Sequence, residues 1–310
     1  MPTGFFARWW TYQRERFPVF AHGILIAAFS SSAVCFSALL RGADTLPPWS
    51  AFLVAFVSSF IAFLHLRIAD EFKDFEDDSR WRRYRAVPRG LVSLRELGVL
   101  AALGASIQIA LAVWLDPWLL VVLGITWTYL ILMSFEFFVR DWLKARPFTY
   151  MWTHMMIMPL IDFYATACDW LPRGEGPPFG LFLFVIVSFF NGMVVEVGRK
   201  LRAPEQEEEG VETYTVLWGH CKATNLWLTV MALTGLTAVI AGWLIHFLWP
   251  IAILLALLWV LSLMRTQRFI AAPTPANAKW FEPLAGVWTL SLYLILGAIP
   301  MAIRLLIDHG

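Results

Sequence analysis

Long runs of apolar residues separated by short polar connections occupy most of this chain. They fall at 19–40, 48–68, 93–115, 117–138, 148–170, 178–197, 223–246, 248–266 and 283–306. Each is close to the roughly 20 residues that a helix needs to cross the hydrocarbon core of a bilayer. Most are apolar almost all round, as helices surrounded by lipid and by one another must be. The pattern predicts an all-α integral membrane protein: a bundle of nine transmembrane helices forming a single domain over residues 1–310. Asp116-Pro117 and Trp249-Pro250 mark tight turns between neighbouring spans. Small residues such as Gly98, Ala102 and Ala105 on the third span, or Gly235 and Gly242 on the seventh, suit close helix approach.

Composition agrees with that class. Of 310 residues 59% are hydrophobic and only 15% charged, against roughly 25% charged in a soluble domain. Cys35, Cys168 and Cys221 lack metal-ligand spacing and read as packing residues. The N-terminus is not a secretory signal: its apolar part is short, polar residues follow, and no small-residue cleavage site precedes the first span. Residues 1–18, with Arg8, Trp9, Trp10, Arg14 and Arg16, suit a short helix at the membrane surface or an ordinary cytosolic tail.

The distribution of Lys and Arg orients the bundle. The N-terminus to residue 16 carries three, connection 67–95 eight, 139–147 three, 198–222 four and 265–282 three. The opposite side has only Arg41, Arg173 and Arg304, which complete the 24 in the chain. Positive charge marks the cytoplasmic side, so the N-terminus is expected inside and the C-terminus outside, in the cytoplasmic membrane if the source is bacterial.

Two connections on that side are anomalous. Arg67–Gly90 carries Asp70, Asp74 and Asp78, with Glu71, Glu76 and Asp77 between them and Arg67, Lys73, Arg80, Arg82, Arg83, Arg85 and Arg89 interleaved. On a helix, positions 70, 74 and 78 are successive i, i+4 neighbours. Three like charges on one stripe make sense around a hard divalent cation such as Mg²⁺; the alternative is a solvated, salt-bridged loop. The second stretch, Asn191–Gly219, holds Glu196, Arg199, Lys200 and Arg202, then Glu205 and Glu207–Glu209. Asn191 and Glu196 fall at or below the membrane surface, where an ionisable group is costly and usually faces a cavity. Facing each other, the two connections would surround a diphosphate, with carboxylates holding the metal and Arg/Lys taking the remaining charge.

Over essentially its whole length the chain resembles the UbiA superfamily of intramembrane prenyltransferases. Those proteins have nine spans and acidic motifs on the cytoplasmic connections after the second and sixth. Asp70, Glu71, Asp74 and Asp78 fall on the first motif, whose opening residues are altered here. Arg85-Ala86-Val87-Pro88-Arg89-Gly90 keeps the arginine, second proline and glycine of the element that follows it. Gly210-Val211-Glu212-Thr213 and Trp218-Gly219 match the tail of the second motif. Its aspartates are replaced by Glu196, Glu205 and later glutamates, with Arg199-Lys200 inserted among them. In one reading Arg199 and Lys200 contact the diphosphate directly and leave fewer metal ligands.

The resemblance implies Mg²⁺-dependent transfer of a prenyl group from an isoprenoid diphosphate to a lipophilic, membrane-embedded and aromatic acceptor, with a cap formed by the 2-3 and 6-7 connections. The metal ligands would be Asp70, Glu71, Asp74, Asp78, Glu196 and Glu205. Arg67, Lys73, Arg85, Arg89, Arg199, Lys200, Arg140 and Lys144 would bind the diphosphate, although positive-inside anchoring also explains Arg140 and Lys144. Asp74, Asp78, Glu196 and Asp162 are the candidate catalytic groups. Asp162 lies deep in the fifth span on the same helix face as His154, where an unpaired carboxylate is expensive, and it either orients or deprotonates an acceptor or pairs with another span. Glu136 is a weaker candidate of the same kind. The partners expected are the bilayer, the diphosphate and the acceptor; nucleic acid is not among them. Two other functions compete: a membrane terpene cyclase of the same superfamily, and a divalent-cation transporter. A transporter would place its acids near the midplane, whereas here they gather at one rim.

Overall fold

A computed structural model describes residues 4–308. Every regular element among them is helical: α1 (Phe5–Arg16), α2 (Val19–Leu40), α3 (Trp49–Lys73), α4 (Phe75–Trp81), α5 (Leu94–Leu115), α6 (Leu119–Ser134), α7 (Arg140–Lys144), α8 (Pro147–Met155), α9 (Ile157–Trp170), α10 (Leu181–Gly198), α11 (Tyr214–Leu244), α12 (Leu248–Ala271), α13 (Pro275–Ala278), α14 (Phe281–Leu296) and α15 (Ala298–Asp308). Six of them (α2, α3, α5, α10, α11 and α12) and the continuous stretch 275–307 are long and apolar enough to cross a membrane, while apolar α6 is shorter at 16 residues.

The expected spans differ from these helices where proline sits three residues into a helix. Residues 148–170 form two helices, α8 and α9, parted at Met156. Pro159 has no N–H to offer the Met155 carbonyl, and its ring crowds that carbonyl, so the helix breaks one turn before it. Pro300 acts in the same way on Leu296, and the ninth span divides at Gly297. A Cβ on Gly297 would stand 2.2 Å from the Ser32 carbonyl oxygen, so this joint presses directly on the α2 backbone. The seventh span begins earlier than its apolar run, at Tyr214, and kinks at Gly219 (φ 77°, ψ 158°).

Within the bundle α2 packs on α3, α9 and α14, α3 on α5, and α10 on α9, α11 and α14. Trp227, Trp288, Tyr293, Phe36 and Phe184 are the largest side chains sealed inside. The Trp227 indole N–H is satisfied by the Val194 carbonyl, 3.0 Å away. By contrast α5 leaves Val99, Leu103, Ile107, Val113 and Trp114 exposed, a face suited to lipid rather than water.

The two ends of the bundle differ in chemistry. At one end Asp169 is sealed from solvent and accepts from Ser37 (2.7 Å) and twice from Arg41 (2.7 and 3.1 Å), with Arg173 at 3.5 Å. Arg304 donates there to the Ala43 carbonyl. The three cations counted on the sparsely charged side thus gather at one end. At the other end α1 packs Tyr12 and Trp9 onto Ile68, Val87, Leu91 and Leu97. Arg8 pairs with Glu96 at 2.5 Å, Arg16 with Glu71, and Glu15 with Arg89 at 2.9 Å. Glu96 also closes a capping box with Ser93 that starts α5.

Candidate functional site

The charged end is built where α3, the turn after α6, α8 and α10 converge. The i→i−4 hydrogen bonds of α3 run on past its end, from Asp74 N–H to the Asp70 carbonyl (2.9 Å) and from Asp78 N–H to the Asp74 carbonyl (2.8 Å). Asp74 itself, at φ −93° and ψ 4°, bends the chain into α4. The three aspartates keep the expected spacing but not a common environment. Asp70 is partly exposed and loosely flanked by Arg67 (3.6 Å) and Lys73 (3.9 Å). Asp78 is buried and gripped by Arg82 (2.9 Å) and Arg85 (2.7 Å). Asp74 is half-buried between them and has no ion-pair partner among the described residues. Burial pushes its carboxyl above the usual carboxylate range; Lys73 opposes this, and Asp70 and Asp78 add to it.

The remaining acids of the first connection are engaged elsewhere. Glu71 is buried in its pair with Arg16, away from the aspartates in its use of charge. Asp77 lies near Arg140 (3.5 Å) and Lys144 (3.7 Å), which brings connection 139–147 to the site. Arg89 donates to the Tyr84 carbonyl (2.8 Å) and to Glu15, tying the trailing loop to α1. Gly90, at φ +77°, supplies the left-handed turn that closes this loop.

At the end of α10 both carboxylate oxygens of Glu196 are occupied. Arg199 takes Oε2 through Nε (2.7 Å) and its terminal nitrogen, and Lys200 takes Oε1 at 2.7 Å. Glu196 beside it holds the Arg199 guanidinium above its ordinary range, and Asp70 on the opposing connection contributes in the same direction. Direct contacts place the two connections face to face: the Tyr84 hydroxyl donates to Glu208 at 2.9 Å, and Gly210 sits against the Trp81 ring. Glu205 is exposed on a turn and is not brought to Glu196. Glu207 instead accepts from Thr213 (2.8 Å) and Thr215 (2.7 Å), fastening the connection to the start of α11.

Four carboxylates therefore lie between two cations each: Asp70, Asp77, Asp78 and Glu196. Such a surface holds spare positive charge and suits a polyanion. Among the described residues no three of His, Cys, Asp and Glu come together as a protein-only metal cage. Mg²⁺ does not need one, since it is commonly bound by one or two carboxylates and completes its shell with water and phosphate oxygens. Asp70 and Asp74, four residues apart and incompletely paired, fit that requirement; Glu196, with both oxygens taken, does not.

Three side chains at this site were not assigned roles from sequence. Tyr150 on α8 accepts from Lys73 Nζ (2.9 Å) and donates to Glu136 (3.3 Å), and its ring stacks on His154 with centroids 3.9 Å apart. Lys200 lies 5.4 Å from the Tyr214 ring centroid. The i, i+4 spacing of Tyr150 and His154 beside a basic connection was the available signal. Asp162 is separate from all of this. It is sealed in the core, where Oδ2 accepts from Tyr293 (3.2 Å), whose hydroxyl also lies 3.4 Å from Ser188; Oδ1 has no partner. The break at Met156 means that Asp162 and His154, expected on one helix face, belong to two helices.

Comparison with known proteins accords with this architecture. No curated protein matches the sequence. Among solved structures, a digeranylgeranylglyceryl phosphate synthase is 15% identical over 94% of this chain and 99% of its own, with a TM-score of 0.62. A UbiA homologue from Aeropyrum pernix K1 is 14% identical over 93% and 98%, with a TM-score of 0.66. A UbiA homologue from Archaeoglobus fulgidus, bound to GPP and Mg²⁺, is 13% identical over 92% and 99%, with a TM-score of 0.53. These likenesses show a shared fold. The profile of the UbiA prenyltransferase family matches residues 30–292, and the chain belongs to that family.

Proposed function

We propose that this protein transfers a prenyl group from an isoprenoid diphosphate to a lipophilic acceptor at the charged end of the bundle, with Mg²⁺ as cofactor. The observation that carries the reading is the set of carboxylates each held between two cations, with Asp74 unpaired among them. That pattern favours a diphosphate over a cation in transit. The Archaeoglobus homologue, solved with GPP and Mg²⁺, supports the same substrate class. On this reading the chain crosses the bilayer nine times, α8 with α9 and α14 with α15 each making one crossing. The N-terminus is cytoplasmic, the C-terminus is outside, and the two long connections cap the cytoplasmic end.

Asp70 and Asp74 would hold the metal, which when bound supplies charge that stabilises the departing diphosphate. Lys73, steadied by the Tyr150 hydroxyl, binds a phosphate oxygen on the same side, and Arg67 reinforces it. Arg199 and Lys200 approach from the opposing connection and take the oxygens there. Arg140 and Lys144, held near Asp77, extend the cationic wall. Asp78 with Arg82 and Arg85 keeps the bend after Asp74 in shape. The prenyl chain runs into the apolar bundle, and α1 with the two connections keeps water from the reacting carbon. Asp162 lies apart from these groups, sealed in the core against the Tyr293 hydroxyl.

The test is incubation of purified protein with geranyl diphosphate and Mg²⁺, following diphosphate release and identifying products by mass spectrometry with and without lipid that co-purifies. A prenylated lipid that disappears in the Asp74→Asn variant is the expected result. A cyclic hydrocarbon or alcohol as sole product without acceptor would replace transfer by cyclisation.

A further inference from the structure

His154 is buried, only 7% exposed, and its two ring nitrogens are in different states. Nδ1 lies 2.8 Å from the Tyr150 carbonyl oxygen. A carbonyl can only accept, so Nδ1 carries the hydrogen and donates it. In the neutral ring Nε2 is then a bare acceptor, and it is sealed from solvent with no partner. A buried acceptor left unpaired is costly, and its persistence needs an explanation.

The ring cannot turn away from this position. Tyr150 stacks on one face, 13° from parallel, and Phe137 meets it edge-on at 6.2 Å. Phe137 is held there by a turn in which Glu136, Phe137 and Phe138 all have left-handed φ of 50°, 53° and 60°. Three successive non-glycine residues in that region store strain, which accumulates at functional sites. Tyr150, stacked on the ring, is bonded to Lys73 at the end of α3 and to Glu136, and α8 packs against α10, which ends in Glu196. His154 thus lies on the elements that carry both charged connections, next to the lysine assigned to the diphosphate.

We infer that His154 Nε2 receives the hydrogen bond of the acceptor's own O–H or N–H, orienting the nucleophile and taking its proton as the prenyl bond forms. The inference rests on the prenyl-transfer reading. In the step, the bond between C1 and the diphosphate oxygen breaks and its electron pair leaves with the diphosphate. The acceptor's nucleophilic atom supplies the pair for the new bond to C1, and its proton moves to Nε2. The imidazolium keeps its Nδ1–H on the Tyr150 carbonyl and returns the other proton to water after product leaves. The acceptor class is accordingly an alcohol, phenol or amine, not an ether or a bare alkene.

The experiment uses full-length protein in nanodiscs, loaded with geranyl thiolodiphosphate and Mg²⁺, and a matched probe pair, 4-butylphenol and 4-butylanisole. The two differ in the single hydrogen that Nε2 would accept. Wild type should bind the phenol about tenfold more tightly than its ether, the effect of one net hydrogen bond. His154→Phe should bind both equally, while His154→Gln, whose amide oxygen can accept, should keep much of the preference. Thiolodiphosphate affinity and thermal unfolding should match wild type in both variants. An undiminished preference in His154→Phe, or none in wild type, overturns the inference. So does a loss of Mg²⁺ affinity in His154→Phe, which would make Nε2 a metal ligand. Failure of wild type to bind the thiolodiphosphate at all overturns the prenyl-transfer reading itself, and the inference falls with it.

Discussion

The pair between Arg16 and Glu71 allows a role in holding the fold to be told apart from a role in holding a metal. Glu71 belongs to the acidic stretch that the sequence assigns to metal binding, yet its side chain is 1% exposed and Arg16, 12% exposed, occupies it. Removing one partner of a buried pair typically costs about 3–5 kcal/mol, because the other charge is stranded. A glutamine at 71 keeps a hydrogen-bond acceptor, so Glu71→Gln should fall near the lower bound, at about 3 kcal/mol. At about 2 °C per kcal/mol for a chain of this length, the apparent melting temperature drops by about 6 °C. Replacing both partners by apolar residues is often neutral, so Arg16→Met with Glu71→Met should recover most of that loss. Two native thiols report the transition: Cys35 and Cys168 are buried and Cys221 is exposed. A maleimide dye in a Cys221→Ser background therefore reads opening of the core. Mn²⁺ affinity, measured in the presence of diphosphate, should be unchanged in the double variant. A double variant as stable as wild type that no longer binds Mn²⁺ would make Glu71 a ligand and refute the reasoning.

Three further outcomes can be checked in the same preparation. Asp74→Asn should abolish Mg²⁺-dependent diphosphate release while leaving the melting temperature within about 2 °C, since no ion pair is lost; normal turnover would remove Asp74 from the metal site. Glu196→Gln frees Arg199 and Lys200, both more than a third exposed, so stability should change by less than about 1 kcal/mol. Turnover should nevertheless fall at least about tenfold, as one misplaced charge of 1.4 kcal/mol suffices, and an unaltered rate would reduce the second connection to scaffolding. Gly297→Ala puts a methyl 2.2 Å from a backbone oxygen, whereas Gly98→Ala meets only the Phe72 ring at 3.7 Å. The first should yield aggregated protein by size exclusion and the second a normal peak; equal behaviour would mean that α2 can move away.

Hydropathy alone is enough to read the class, because a membrane leaves few ways to satisfy a backbone. Gathering Arg41, Arg173 and Arg304 at one end also follows from simple alternation of the connections. The breaks were harder to see. Pro159 and Pro300 stand inside apolar runs of spanning length, and a hydropathy window counts them as ordinary members, whereas a missing N–H acts on one particular carbonyl. The pairing of charges was less legible still. In Arg67–Gly90 spacing makes Asp70, Asp74 and Asp78 equivalent. Only tertiary partners distinguish buried Asp78, gripped by two arginines, from the unpaired Asp74 one turn earlier. Glu71 depends on a partner 55 residues away, and no local pattern reports that. The glutamates after Pro204 show the same limit: a run of glutamates looks like one feature, but Glu207 is hydrogen-bonded to threonines while Glu205 faces solvent.

A carboxylate between two cations is not by itself a substrate site, as the opposite end of the bundle shows. Asp169 also lies between two arginines, Arg41 and Arg173. There Arg41 reaches a second acid, Glu175, at 3.7 Å, and Ser37 fills another lone pair of Asp169. Charge is therefore balanced by two acids and two bases, and the cluster closes the end of α9 against α2. At the other end the balance is left open. Asp77, Asp78 and Glu196 each have two cations, and among the described residues no further acid shares Lys144, Arg85 or Lys200. Like charges gathered at one end repel one another, and the bundle could have closed this end as it closed the other. The open balance at one end and the closed one at the other make the excess charge a property of the site. A diphosphate ester, carrying several negative charges at neutral pH, is the ligand that would restore the balance.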